Sequence, residues 1–360
     1  MGLPKNTLKE AGDLAGRNKA PARRVAKRPS CGGPDMEPTV KSVLRRVLAA
    51  FAVAGIIGIF SSASAPSPPF TPSNAEKTIL FLSDTQAPLL WETLILRRDR
   101  NEEARQKIME LILSEPDPAA VFHLGDTVAR GSEEEDWKPL DDFLVRLRAR
   151  GVPVYGAMGN HEYLLSSAEG AARFKKRFPE FPQSWFSVRI LPLAIIVLNS
   201  NFWELTREAR AEQKKYYEDQ MAALENDPEV KGIVVCAHHP PYTNSKIVIR
   251  SFEVDREFVP LFLKSRKAKL FLSGHSHAAE HFIREGKHFL VLGGGGGLLH
   301  PLHIGSDARY EDHFSLRTER RWFHYLRLQV NEEGWKVTFR MLRQDLENWV
   351  DIDSFSASWD

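Results

Sequence analysis

The sequence predicts an α/β architecture. Short, uninterrupted apolar runs alternate with longer amphipathic stretches, several of the runs stop abruptly at a polar cluster, and 360 residues at 42% hydrophobic content suffice to bury one large core. Apolar runs that do not alternate are the mark of strands covered on both faces. They occupy residues 78–82, 119–124, 152–158, 194–198, 232–237, 268–272 and 289–292. Helical spacing lies between them at 102–113, 134–150, 208–225 and 255–265. Farther on, residues 322–330 and 334–342 alternate like antiparallel strands joined through Asn331, Glu332 and Glu333. No internal repeat or second linker interrupts this pattern. One domain is therefore expected over 77–349, with 350–360 as a C-terminal tail.

The N-terminal part is of a different kind. Residues 1–46 carry eleven Lys or Arg against four Asp or Glu, which leaves 38 against 43 in the remainder. The body is thus mildly acidic and offers no footprint for a nucleic-acid backbone. Residues 1–35 show no apolar period and are expected to be a disordered leader, or untranslated sequence if synthesis starts at Met36. Residues 36–65 run from Lys41, Arg45 and Arg46 through an uncharged apolar stretch (47–60) to Ala63-Ser64-Ala65, the layout of a secretory signal peptide. That stretch is short of the roughly 20 apolar residues of a membrane span. Cleavage after Ala65 is the first reading, with an uncleaved membrane anchor as the alternative. The Arg45-Arg46 pair leaves both the general and the twin-arginine export routes open. A Pro- and Ser-rich linker, 66–76, follows. A periplasmic or secreted protein is expected, touching a membrane only if the apolar stretch is retained. Of the two cysteines, Cys31 lies in the leader and Cys236 sits among apolar neighbours, where a buried core role outweighs a nucleophilic one.

The polar clusters carry the chemistry. They read Asp84-Thr85-Gln86, Gly125-Asp126, Gly159-Asn160-His161-Glu162, Asn199-Ser200-Asn201, His238-His239-Pro240-Pro241, Gly274-His275-Ser276-His277 and the five glycines 293–297. Taken singly, a Gly-Asp pair is turn chemistry and a lone loop histidine is solvated. Loops at the carboxyl ends of parallel strands gather in one crevice, however, and there two Asp, an Asn, a Gln and several His make a donor mix suited to Mn, Fe or Zn.

These blocks resemble those of the calcineurin-like metallophosphoesterase family, which run D-x-H, GD, GNH[DE], H and GHxH. The resemblance covers residues 78–299, and GNHE and GHSH are its most specific parts. It implies a four-layer αββα sandwich of two mixed sheets flanked by helices. It also implies two divalent ions, one held by Asp84, Gln86, Asp126 and His277 and the other by Asp126, Asn160, His238 and His275. The bridging Asp126 would offset the repulsion of cations roughly 3.5–4 Å apart. His275 and His277 would both point inward only if the chain turned tightly at Gly274. The activity implied is hydrolysis of a phosphate mono- or diester, from a small molecule or a lipid headgroup, by water that the ions activate. His161 would assist the leaving group, with Glu162 orienting it. His239 is expected beside the ligands, on the substrate side.

Gln86 departs from the family's usual histidine. A neutral amide oxygen is a harder donor, which favours ions such as Mn²⁺ and leaves the ion's identity open. D-x-Q also occurs in members resembling manganese-dependent ADP-ribose and CDP-alcohol diphosphatases. The substitution motivates an alternative, a weak or inactive exported binding protein on the same fold. Val128-Ala129 stand where a purple acid phosphatase has its metal-bound tyrosine, so a colourless protein is expected. The glycine run, Gly295 at its centre, lacks the Lys-Ser/Thr of a phosphate loop and is read as backbone passing close to the metal centre. His300 and His303 are placed near the rim, surface positions being the more economical reading. Tyr163 and Trp203 are candidates for an aromatic wall, and core packing is equally open for Trp203.

Overall fold

The computed structural model describes residues 76–179 and 183–359. The assignments made for the leader, the signal segment and the linker up to residue 75 lie outside the described residues. In chain order the first six strands are β1 (Lys77–Leu82), β2 (Ala120–His123), β3 (Val154–Gly156), β4 (Phe186–Ile190), β5 (Leu193–Leu198) and β6 (Gly232–Ala237). The rest are β7 (Ala268–Ser273), β8 (Ala279–Arg284), β9 (Lys287–Leu292), β10 (His324–Val330), β11 (Gly334–Leu342) and β12 (Trp349–Ser358). The helices are α1 (Asn101–Ser114), α2 (Lys138–Ala149), α3 (Ser167–Arg177), α4 (Arg207–Asn226), α5 (Phe252–Glu257) and α6 (Val259–Lys264). None of the described helices is long and apolar enough to cross a membrane.

The strands form two six-stranded sheets, ordered β12-β11-β10-β1-β2-β3 and β4-β5-β6-β7-β9-β8. In the first, β1, β2 and β3 are parallel and β10, β11 and β12 antiparallel. In the second, β5, β6, β7 and β9 are parallel, with antiparallel β4 and β8 at the edges. The apolar runs are continuous because both faces of these strands are buried. Ile79 and Phe81 face the second sheet, in one cluster with Val197, Cys236 and Leu272. Leu80 and Leu82 face α1 and α2, in another with Ile108 and Leu144. Ile196 and Val235 meet Tyr217 and Phe262 of α4 and α6 in a third. Three apolar seams separate four layers, helix, sheet, sheet and helix, as expected.

Three local expectations change. The helix expected at 255–265 is two short helices, because Pro260, which brings no N–H, sits at the first turn of α6. Helix α3 was not anticipated, since Phe174 is the one large apolar residue that its eleven residues bury. The tail expected at 350–360 is instead β12, paired with β11 from Leu342↔Trp349 to Gly334↔Ser358. Its alternation is broken by a bulge, so Ile352 and Phe355, three apart, both lie against the inter-sheet core and hide the period of two. Trp359 closes the strand with its ring on Gly232 and its indole N–H donating to the Asn331 carbonyl at 2.9 Å.

Candidate metal centre

Every predicted ligand lies on a loop leaving the carboxyl end of a parallel strand: Asp84 and Gln86 after β1, Asp126 after β2, Asn160 after β3, His238 after β6, and His275 and His277 after β7. Backbone bonds knit these loops within each sheet and, through Gly295, across the seam between them. Asp84 N donates to Gly125 O (3.0 Å), Gly274 N to His238 O (2.9 Å) and Gly295 N to Ser83 O (2.9 Å). A Cβ on Gly295 would fall 2.2 Å from the Ser83 carbonyl oxygen, so the glycine run does pass close beneath the ligands.

Three candidate ligands adopt the left-handed backbone conformation that side chains disfavour: Asp84 (φ 60°), Asp126 (φ 54°) and His275 (φ 63°). The turn that aims His275 and His277 inward is therefore made at His275 itself. Gly274 serves another purpose, because a Cβ there would sit 2.0 Å from Ser83 Oγ.

The side chains converge in two groups, Asp84 with Asp126 and His277, and His238 with His239 and His275; within each, one donor atom per residue lies within 4.8 Å of the others. His238 Nε2 stands 3.2 Å from Asp126 Oδ2 and 3.3 Å from Asn160 Oδ1. His277 Nε2 stands 3.4 Å from Asp84 Oδ1. Both rings give their Nδ1–H to backbone carbonyls, of Leu124 and Leu298 at 2.9 Å, which turns Nε2 toward the centre. Gln86 completes the first group: its amide nitrogen donates to the Asp126 and Asp84 carbonyls (3.0 and 3.3 Å), and its oxygen faces His277 Nε2 at 3.0 Å.

The electrostatics fit a cation. Burial pushes the Asp84 and Asp126 carboxyls upward, yet the neighbouring histidines, His277 for Asp84 and His238 for Asp126, outweigh it and hold both below the ordinary carboxylate range. Burial likewise works against charge on His238, but Asp126 raises it to about 9. His275, buried and beside His238, is lowered to about 3 and keeps a free lone pair. The proton that His238 takes up stands where a bound ion would place its charge. Buried carboxylate, imidazole and amide donors with few positive charges of their own match divalent metals of the Mn, Fe and Zn type.

Around the ligands, several expected roles are redistributed. The Glu162 carboxylate does not touch His161. It accepts from the backbone N–H groups of Asp126 (2.9 Å), Thr127 (2.7 Å) and Gly159 (2.6 Å) and from Thr127 Oγ1 (2.6 Å), so it braces the two loops bearing Asp126 and Asn160. His161 is oriented instead by the Ala129 carbonyl, which takes Nδ1–H at 2.8 Å, and its Nε2 faces Glu92 Oε1 at 4.0 Å. Glu92, on the loop after β1, was not anticipated. His239 holds Ser200 Oγ through Nδ1 (2.8 Å), and its ring lies 4.3 Å from His275. His300, expected at the surface, is buried with its ring stacked on His277 at 4.4 Å. His303 is half-buried, with Nε2 3.1 Å from Arg309 Nη2. Trp203 is not core; it is 64% exposed and meets His239 edge-on at 5.1 Å. Tyr163 forms no wall of the metal cleft but lines a separate cavity with Met158 and Phe174. The cleft itself holds about 130 Å³, and Trp91, Glu92, His161, Ile247 and His300 line it beside Asp126, Asn160, His275 and His277.

A sequence profile described as calcineurin-like phosphoesterase matches residues 77–279. The chain belongs to that family. The family is one of phosphoesterases, and candidate metal-ligand groups are in place in this chain. No curated protein matches it in sequence. A purple acid phosphatase from yellow lupin (Lupinus luteus) seeds shares 17% identity at a TM-score of 0.55, over 81% of this chain and 55% of that one. The chain thus spans little more than half of the lupin protein. GAP50, the anchor in the inner membrane complex of Plasmodium, aligns at 12% identity and TM-score 0.56, over 79% and 90% of the two chains. A dimetal phosphatase from Danio rerio aligns at 12% and 0.51, over 79% and 99%. At these identities the likeness speaks for the fold.

Proposed function

We propose that this phosphoesterase hydrolyses phosphate mono- or diesters at a centre of two divalent ions, one held by Asp84, Gln86, Asp126 and His277 and the other by Asp126, Asn160, His238 and His275. The observation that supports the proposal is that these seven side chains, from five loops and both sheets, fall in two adjoining groups joined where His238 Nε2 comes within 3.2 Å of Asp126 Oδ2. When bound, the ions would supply the positive charge that activates water and neutralises the phosphoryl oxygens. Asp126 keeps its place because His161 N–H binds its Oδ1 at 2.8 Å while Glu162 anchors its backbone. In the reaction water adds to phosphorus, the bond to the leaving oxygen breaks, and that oxygen takes a proton from His161 Nε2. Since Nδ1–H is committed to Ala129, the donor form is the doubly protonated ring, with the Glu92 carboxylate as its partner.

The substrate proposed is a small-molecule or headgroup phosphoester, and the basic, apolar and small-residue order of 36–65 supports an exported, periplasmic or secreted, location. The test is hydrolysis of p-nitrophenyl phosphate and bis(p-nitrophenyl) phosphate in Mn²⁺. Asp126→Asn is expected to abolish turnover, and His161→Ala to lower kcat by about 10²–10⁴-fold. Activity surviving Asp126→Asn would remove the two-ion scheme; inactivity with every metal tried would favour a binding protein.

A further inference from the structure

Large apolar side chains that remain exposed are distributed unevenly over this molecule. Eight of the eleven among the described residues lie on loops leaving the carboxyl ends of β1, β3, β5 and β6, the same edge that carries the candidate ligands, and a ninth, Phe252, opens α5 at the end of the last of these loops. The two exceptions, Val145 on α2 and Ile283 on β8, are isolated. The densest part comprises two loops facing each other across the cleft. After β1 come Leu90 (82% exposed), Leu94 (82%) and Ile95 (71%), and after β6 comes Ile249 (67%); Trp91 and Ile247 reach from these loops into the cleft. An apolar area concentrated at the mouth of a polar cleft, and covering nothing among the described residues, has no role in holding their fold.

Cations cluster at this rim, most of them sharing an acid: Arg97 pairs with Asp99, Arg98 with Glu102, Lys246 with Glu319 and Arg250 with Asp255. Each loop follows its apolar residues with cations: Leu94-Ile95-Leu96 runs into Arg97-Arg98, and Ile247-Val248-Ile249 lies between Lys246 and Arg250. Beside the first loop, and reaching Leu299 next to His300, is a cleft of about 380 Å³ whose lining includes six arginines and a single acid, Asp99. Residues 47–360 as a whole carry 38 Lys or Arg against 43 Asp or Glu. Apolar tips flanked by a basic collar match the two layers of an anionic bilayer surface, acyl chains beneath and phosphate headgroups above.

We infer that the rim of the metal cleft is a docking surface for an anionic lipid bilayer, and that the substrate is a phosphoester whose hydrocarbon part stays in that bilayer. This contact is independent of the fate of residues 47–60. The docking stands on the apolar and basic rim alone, whereas the substrate class rests on the proposed phosphoesterase activity.

The test uses the full chain with Cys31→Ser, which leaves Cys236 buried, and an environment-sensitive probe attached at Leu94→Cys, Ile249→Cys or, as control, Val145→Cys. Vesicles are phosphatidylglycerol with phosphatidylethanolamine, or phosphatidylcholine alone, each with brominated acyl chains. Quenching of at least about twofold at 94 and 249 in the anionic vesicles, with little at 145, is expected for loops seated at the acyl boundary. Equal quenching at all three positions overturns the docking. So does a probe at 94 or 249 that is already dry without lipid, since a second copy or the chain's own N-terminal segment then covers the rim. In parallel, Leu94→Glu with Ile249→Glu is expected to leave bis(p-nitrophenyl) phosphate hydrolysis unchanged and to lower that of vesicle-borne hexadecyl p-nitrophenyl phosphate by about tenfold or more. Equal rates on the vesicle substrate overturn the bilayer-borne assignment. Failure of the unsubstituted protein on both soluble p-nitrophenyl phosphate and its bis-ester would instead remove the phosphoesterase reading, with the probes still deciding the docking.

Discussion

Replacing Glu162 by Gln removes one charge and exchanges one acceptor for a donor in a fully buried position. In the native arrangement Oε2 accepts from Asp126 N and Gly159 N, and Oε1 from Thr127 N and Thr127 Oγ1. The least costly amide orientation keeps the oxygen at the Oε2 position. The new NH₂ then donates to the Thr127 hydroxyl, but it faces the Thr127 N–H, donor against donor. One buried N–H without an acceptor costs about 1–3 kcal/mol. Some of this is returned, because burial and the nearby Asp126 push the Glu162 carboxyl above its ordinary range, and an amide carries no such penalty. The expected net loss is about 1–2 kcal/mol, read by urea denaturation of the metal-free protein at pH 7. The Asp126 and Asn160 loops lose their brace as well, so Mn²⁺ affinity is expected to fall by about tenfold or more. Unchanged stability, within about 0.3 kcal/mol, together with unchanged Mn²⁺ affinity would refute the bracing role.

Gly159→Ala would bring a Cβ 2.2 Å from Asp126 Oδ1 and 2.5 Å from Asp126 N, so a loss of bound metal of at least about tenfold is expected by elemental analysis after dialysis. Glu280 is buried and accepts from Thr243 Oγ1 and Asn244 N; burial raises its carboxyl to about 7. The folded protein then holds a proton that the unfolded chain releases near pH 4.5, so stability falls as pH rises from about 4.5 through 7, by at most about 3 kcal/mol. Glu280→Gln should flatten that slope in denaturation curves taken from pH 5 to 8. Ending the chain at residue 349 removes Phe355 and Trp359 from the inter-sheet core and bares the edge of β11. A loss above about 5 kcal/mol, seen as insoluble product or a collapsed thermal transition, is expected; a soluble, cooperatively folding product would show β12 to be dispensable.

How much could be read from sequence depended on how many faces of an element are buried. β1, β5 and β6 are covered on both sides and announce themselves as apolar runs. β4, β8 and β12 are edge or near-edge strands with mixed composition, and the bulge at Val337/Phe339 shifts the register of β12. The ligand-bearing blocks were legible because each is a short motif fixed to a strand end. Glu92 was not, because it meets His161 only when the loop after β1 folds over the loop after β3, and nothing local in Trp91-Glu92-Thr93 records that. His300 misled for a related reason: its burial comes from stacking on His277, a partner 23 positions earlier. Glu162 was placed in the right neighbourhood with the wrong partner, since adjacency to His161 in the chain says little about where its carboxylate points.

The left-handed residues Asp84, Asp126 and His275 set stability and chemistry in conflict. Each position costs roughly 1 kcal/mol more than glycine would, so a design procedure guided by folding energy alone would rewrite all three as glycine. The result would relax the backbone and erase the centre. These positions are therefore where a thermostabilised version of this chain must be left untouched, and where drift toward glycine in related chains would signal release from selection for catalysis while the fold survives.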